Sequence, residues 1–137
     1  IDDGGHTMRQ QLITFEILYP FLKDDGIYLC EDTHTSYWYE YGGALRRKGT
    51  FVEFSKKLVD SLYAWHFKSR RVPVDDFTRS TNAIHFYDSM VFFEKKKRMQ
   101  PQTRQIGTPS VNHNVDPLAS KRSLYHQVIK KIRSFRN

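Results

Sequence analysis

The feature that most constrains this chain is a short apolar run, Ile27-Tyr28-Leu29-Cys30, that follows a helical stripe after only a few polar residues. A run of this kind reads as a buried strand, and strands buried on both faces belong to parallel sheets covered by helices. A parallel neighbour arrives through a crossover connection, so the partner strand has to precede the helix and ends at Ile1. The expectation is an α/β sheet in which whatever precedes Ile1 supplies that strand. Strand 27–30 is central in such a sheet, and left bare its unpaired backbone groups and apolar surface recruit another strand. The chain is therefore expected either to self-associate as a homo-oligomer through that edge or to occur as a piece of a longer polypeptide.

The helical stripe is Met8, Leu12, Phe15, Leu18 and Leu22, at spacings that keep one face apolar. Thr7 and Gln10 form a capping box that fixes its start, because the two side chains satisfy backbone N–H groups with no partner inside the helix. Asp24-Asp25-Gly26 ends it. Residues 31–43 are polar and aromatic and close on Gly42-Gly43, so they read as a loop. A second helix follows, with Thr50 and Glu53 as its capping box and Phe51, Phe54, Leu58, Leu62 and Trp65 as its stripe. Residues 81–87 and 90–96 alternate aromatic and β-branched side chains about Asp88-Ser89, which predicts an antiparallel pair. Residues 98–118 carry three of the five prolines and few large apolar side chains and read as a linker, and residues 119–137 read as a basic amphipathic helix with Leu124, Val128, Ile132 and Phe135 on one side.

The chain has 137 residues, enough for one domain with a real core, and no run approaches the roughly 18 apolar residues of a membrane-spanning helix. No membrane partner is expected. A lone cysteine and the lack of a secretory leader point to a cytoplasmic setting. The net charge of +7 is unevenly placed: residues 1–67 hold 7 basic and 10 acidic side chains, whereas residues 68–137 hold 15 and 5. That second half reads either as a solvated surface and tail or as a patch for a polyanion.

Two loops leave the carboxyl ends of neighbouring strands, Asp2-Asp3-Gly4-Gly5-His6 and Glu31-Asp32-Thr33-His34, and this rim is where open α/β sheets bind ligands. Asp3, Glu31 and Asp32 are the metal candidates there, since converging carboxylates call for a cation, and oxygen donors suit Mg²⁺, with Mn²⁺ or Ca²⁺ as alternatives. His6 is placed to take a proton. An ordinary turn followed by an ordinary polar strand exit accounts for the same residues. His34, His66, His85, His113 and His126 show no metal-ligand spacing. Tyr37 and Trp38 are candidate substrate-stacking residues or, equally, an aromatic lid over the core. Cys30, inside the strand, reads as a small core residue rather than a nucleophile.

The motifs Ile1-Asp2-Asp3-Gly4-Gly5-His6, Phe15-Glu16-Ile17-Leu18-Tyr19-Pro20-Phe21-Leu22, Gly26-Ile27-Tyr28-Leu29-Cys30-Glu31-Asp32 and Thr35-Ser36-Tyr37-Trp38 with Gly42-Gly43 stand in one order. Together with Ile84-His85-Phe86-Tyr87-Asp88 and Phe92-Phe93-Glu94-Lys95, this order resembles the C-terminal half of a class I S-adenosylmethionine-dependent methyltransferase. The nearest group is the metal-dependent sugar O-methyltransferases of macrolide biosynthesis, the mycinamicin type. The resemblance covers about residues 1–97 and implies the C-terminal part of a Rossmann-like sheet whose last strand is antiparallel. It implies Mg²⁺ held by Asp3, Glu31 and Asp32, His6 as general base, S-adenosylmethionine as methyl donor and a small-molecule or saccharide acceptor. Gly5 stands where the family often has Ser. The glycine-rich cofactor loop of the class is not in this chain, so the cofactor-binding N-terminal half of the same protein is an implied partner. The alternative is a non-catalytic module of the same shape that binds a polyanion or protein through its basic half.

Overall fold

The computed structural model describes residues 1–68, 71–108 and 110. Two compact units divide the chain, residues 1–102 and 103–137, and every helix and strand described here lies in the first. The expected helix over 119–137 lies outside the described residues. Residues 98–102 of the expected linker fall within the first compact unit, and Arg98 is tied into it: its N–H donates to the Arg79 carbonyl at 2.8 Å, and its guanidinium donates to the carbonyls of Leu62 and Thr81.

Helix α1 runs over Met8–Leu18 and opens on the expected capping box: Thr7 Oγ1 accepts from Gln10 N–H and the Gln10 side chain accepts from Thr7 N–H. Pro20 lacks a backbone N–H and cannot continue the ladder, so the chain tightens into a 3₁₀ turn over Tyr19–Phe21. The tighter winding shifts the apolar face. Tyr19 is buried, while Leu18, expected in the stripe, is half-exposed.

Strand β1 is Ile27–Cys30. Helix α2 spans Phe51–Leu62, capped by Thr50 Oγ1, which accepts from Glu53 N–H. Glu53 does not complete the box: its carboxylate takes the Lys56 ammonium at 2.6 Å instead. Trp65 falls beyond α2, in a 3₁₀ turn over Ala64–His66. A one-turn helix α3, Asp76–Ser80, was not expected from the sequence, and it carries its own box between Asp75 and Thr78. Strands β2, Thr81–Tyr87, and β3, Met90–Lys95, form the expected hairpin about Asp88-Ser89.

The sheet order is β1-β3-β2 with both pairings antiparallel. On the side of β1 away from β3 the only bridge among the described residues is parallel, Asp2 to Cys30. That bridge lies one residue past Ile1, where the sequence placed the end of the preceding strand. The core is a stack of rings from α1 and the turn after it, β1, α2, α3 and β3: Phe15 lies 4.5 Å from Phe93, 4.7 Å from Tyr19 and 5.2 Å from Tyr28 between ring centroids, and Phe77 stands beside Tyr19 and Phe93. No helix among the described residues is long and apolar enough to cross a membrane.

Candidate functional site

The site is built where segment 2–6 and β1 end side by side. Asp2 N–H donates to the Leu29 carbonyl at 2.7 Å, and Glu31 N–H donates to the Asp2 carbonyl at 3.0 Å. Side chains alternate along extended backbone, and the two aspartates accordingly part company. Asp2 turns inward and accepts the Tyr28 hydroxyl at 2.6 Å. Asp3 turns outward into the exposed rim.

Asp32 sits in the left-handed region at φ 52°, a conformation that aspartate tolerates better than most residues. This reverses the chain directly after β1 and starts the 3₁₀ turn Thr33–Tyr37. The Thr35 hydroxyl, buried beneath, lies 2.9 Å from the His6 carbonyl and 2.8 Å from the Asp32 carbonyl, sharing its one hydrogen between them. It thereby fastens both rim loops to one point. Gly43 is needed for the same fold: a Cβ there would lie 2.4 Å from the Thr35 carbonyl oxygen and 2.5 Å from the Ser36 carbonyl carbon.

Donor atoms of Asp3, His6 and Asp32 all lie within 4.8 Å of one another. The Asp32 carboxylate is shared between two imidazoles, with Oδ2 3.6 Å from His6 Nε2 and Oδ1 3.8 Å from His34 Nδ1. Ligands sharing one Mg²⁺ at about 2.1 Å stand roughly 3–4 Å apart, and Asp3 is an exposed side chain at the rim. Two carboxylates with open positions left for water and substrate suit such a cation. The structure brings Asp3, His6 and Asp32 into this set; Glu31, the third carboxylate expected there, is not a member of it. Its main chain is held close, since Gln11 Nε2 donates to the Glu31 carbonyl at 3.0 Å.

His34 shows no metal-ligand spacing in the sequence. It in fact borders the set, and the β2–β3 turn holds it: His34 Nδ1 and Ser89 Oγ are 2.5 Å apart, and Thr33 N–H donates to the Ser89 carbonyl. The signal for it was its place two residues after Asp32. Of the two aromatic candidates, Trp38 packs edge-on against the His34 ring at 4.6 Å, while Tyr37 lines a neighbouring cleft. Both are about half exposed, so neither is a lid sealed over the core.

Gly5 has a local reason. A Cβ there would sit 2.3 Å from the Gln10 side-chain carbon, so a serine at this position would push Gln10 out of the α1 cap.

Cys30 is fully buried, and burial pushes its thiol up, helped by the charges of Asp2, Asp32 and Glu31. It is a core residue, as expected. The Tyr28 phenol is raised by burial and by its bond to Asp2, and burial carries Tyr19 up to about 12 against a bond from Thr81 that lowers it. These three groups hold their protons more tightly folded than unfolded, where thiols and phenols ionise near pH 8.5 and 10. Their stability contribution is therefore complete below about pH 8.5 and is lost as the pH rises toward 12. Urea midpoints measured from pH 8 to 11.5 should fall steadily, with Cys30 blocked from thiol reagents in the folded protein at pH 8. Rapid stoichiometric labelling under native conditions would place Cys30 at the surface instead.

No model of a protein family matches the chain. Among curated proteins it is 37% identical over 98 residues to the 8-demethyl-8-alpha-L-rhamnosyl tetracenomycin-C 2'-O-methyltransferase of Streptomyces olivaceus, covering 70% of this chain and 26% of that one. It is 32% identical over 102 residues to the mycinamicin VI 2''-O-methyltransferase of Micromonospora griseorubida, covering 69% and 25%. Among solved structures it matches the MycE methyltransferase of the mycinamycin biosynthetic pathway in complex with Mg, SAH and mycinamycin VI, with 28% identity and a TM-score of 0.63 over 70% of this chain and 25% of that one. A second MycE structure, with Mg and SAH, matches at 25% identity and a TM-score of 0.69 over 88% of this chain and 31% of that one. The chain thus spans about a quarter of the length of the curated relatives it matches.

Proposed function

We propose that this chain, which belongs to the class I S-adenosylmethionine-dependent methyltransferases and is closely related to the mycinamicin and tetracenomycin sugar O-methyltransferases, forms the acceptor side of an enzyme that methylates a hydroxyl of a glycosylated small molecule. Residues 1–97 are read as the C-terminal half of the catalytic domain, with S-adenosylmethionine held by the preceding half of the same protein. The observation that carries the reading is the convergence of Asp3, His6 and Asp32 at the ends of adjacent strands.

Asp3 and Asp32, with Glu31 as the third carboxylate of the family pattern, are the residues that would hold Mg²⁺. The cation would supply Lewis acidity that makes a sugar hydroxyl easier to deprotonate near neutral pH. His6 takes that proton on a ring nitrogen as the acceptor oxygen forms its bond to the methyl carbon and the sulfonium S–C bond breaks, leaving a methyl ether and S-adenosylhomocysteine. Asp32, 3.6 Å from His6 Nε2, stabilises the imidazolium that results. The Thr35 hydroxyl fixes the His6 main chain, so the ring approaches the acceptor from a set position.

Removal of divalent cations tests this directly. In the complete protein, with a glycosylated acceptor and S-adenosylmethionine, methyl transfer should stop on adding chelator and return with Mg²⁺. Turnover unaffected by chelator would eliminate the cation. The reading as a polyanion-binding module rests on the charge balance of residues 68–137 alone, and the geometry of the rim favours the enzyme.

A further inference from the structure

At the far end of the sheet from the Asp3–His6–Asp32 rim, a cleft of about 770 Å³ opens between the 3₁₀ turn after α2, the segment leading into α3 and the chain leaving β3. The register of β3 sets the two apart: Val91 stands opposite Cys30 beside the rim, Glu94 stands opposite Ile27 at the other end, and Arg98 follows beyond. The six residues of β3 span roughly 17–20 Å, so an occupant of this cleft is separate from the groups proposed to act on the acceptor. We infer that the cleft binds a small organic acid, with its hydrocarbon body against Trp65, Phe67, Val72 and Val74 and its carboxylate taken by Arg79 and Arg98.

Three observations point to an anion with an apolar body. The walls are concave, apolar and open to solvent: Phe67 is 42% and Met99 86% exposed, and Trp65, Val72 and Val74 are partly exposed. Covering such surface with hydrocarbon is favourable, and the volume lies in the ordinary range for small-ligand sites, roughly 300–1,000 Å³. Next, the charge is one-sided. Arg79 and Arg98 line the cleft, and no acidic side chain among the described residues does. Arg79 pairs there only with Asp76, at 3.5 Å and with both side chains exposed, a contact that holds the guanidinium weakly. Finally, Arg98 is positioned before any ligand arrives. Its Nη1 donates to the Leu62 carbonyl at 3.4 Å and to the Thr81 carbonyl at 3.0 Å, and its guanidinium carbon lies 5.3 Å from the centre of the Trp65 ring. Nε and Nη2 make no hydrogen bond among the described residues, so the other edge of the fork keeps its donors. A guanidinium held in one plane with a free edge matches a carboxylate through two parallel hydrogen bonds. Inorganic phosphate would leave the apolar walls bare, and a neutral hydrocarbon would cover two cations without pairing them. An organic acid meets both demands.

The test is a calorimetric titration of the complete protein with 1-naphthoate, with 1-naphthamide as its neutral counterpart and inorganic phosphate as the bare anion. Naphthoate should bind saturably, and the amide and phosphate should each bind at least about tenfold more weakly, as loss of a charge-assisted hydrogen bond or of the apolar contact requires. Arg79→Gln and Arg98→Lys should each weaken naphthoate binding about five- to tenfold and leave the amide unchanged, while Trp65→Leu should weaken both. Arg98 also ties the chain to Leu62 and Thr81, so Arg79→Gln, which gives up only a surface pair, decides the case if Arg98→Lys fails to fold. Equal affinity for naphthoate and its amide would show apolar surface without an acid site and overturn the inference. Naphthoate binding untouched by Arg79→Gln and Trp65→Leu would place the acid elsewhere and overturn it as well. No saturable binding to the complete protein would show that its own chain or a neighbouring subunit fills the cleft, and would equally overturn it.

Discussion

Replacing His6 with alanine in the complete protein should lower kcat for methyl transfer by about 10²–10⁴-fold while leaving KM for the acceptor close to its original value. The imidazole stands in the set with Asp3 and Asp32, and without it the acceptor proton loses the base proposed to receive it as the oxygen attacks. Folding should survive, because the ring is partly exposed and the contact that ties this loop down is made by the His6 carbonyl, which alanine retains. Two controls separate base loss from disturbance of the rim. His6→Ala should keep its affinity for Mg²⁺ within a few-fold if the ring serves as base rather than as ligand, and exogenous imidazole should restore part of the rate. A folded His6→Ala protein with undiminished turnover would remove His6 from the chemistry.

The parts of this molecule that were legible in the sequence are those whose determinants are local. Thr7 and Gln10 announce the start of α1 because both partners of the cap lie within one turn, and the β2–β3 hairpin is written in alternation about a two-residue reversal. Helix α3 was missed because its five residues carry no stripe, and part of what secures it is tertiary: the Thr78 hydroxyl donates to the Ser61 carbonyl 17 residues away. The exchange of Leu18 for Tyr19 on the buried face follows from Pro20, whose effect on winding a uniform helical period does not include.

At the site, the order of motifs located both rim loops, but the membership of the cluster depended on one dihedral angle. Asp32 in the left-handed region reverses the chain, so its carboxylate meets His6 and His34 while the Glu31 carboxylate stays out of the set. No spacing rule carries that information. The role of Ser89 was hidden for a related reason, since it is joined to His34 across 55 positions of sequence and reads in isolation as an ordinary turn residue.

Phe93→Ala should be the most damaging single truncation in the described core, at about 3–5 kcal/mol. The side chain is fully buried on β3, the strand that holds β1 and β2 together, and it pairs across the ladder with Tyr28 on one side and Ile84 on the other. Rings surround it, with Phe15 at 4.5 Å, Tyr19 at 5.9 Å and Tyr28, Phe51 and Phe77 each at 6.3 Å between centroids. Those neighbours come from separate elements whose backbones are fixed by the sheet and by capped helices, so they cannot all close on the space an alanine would leave, and the cavity adds to the lost transfer energy. A loss of that size is a large part of a typical margin of roughly 5–15 kcal/mol. The neighbouring Phe92→Ala provides the contrast, since Phe92 points to the opposite, half-exposed face of the sheet and should cost markedly less. The consequence extends to the site: β3 leads out of the turn that holds His34 and runs against β1, whose exit carries Asp32, so loosening β3 should weaken Mg²⁺ binding in the same order, Phe93→Ala more than Phe92→Ala. Urea denaturation of the complete protein with a probe on this domain measures the first effect and a metal titration the second. Equal losses for the two phenylalanines would show that the ring cluster is not the centre of this fold.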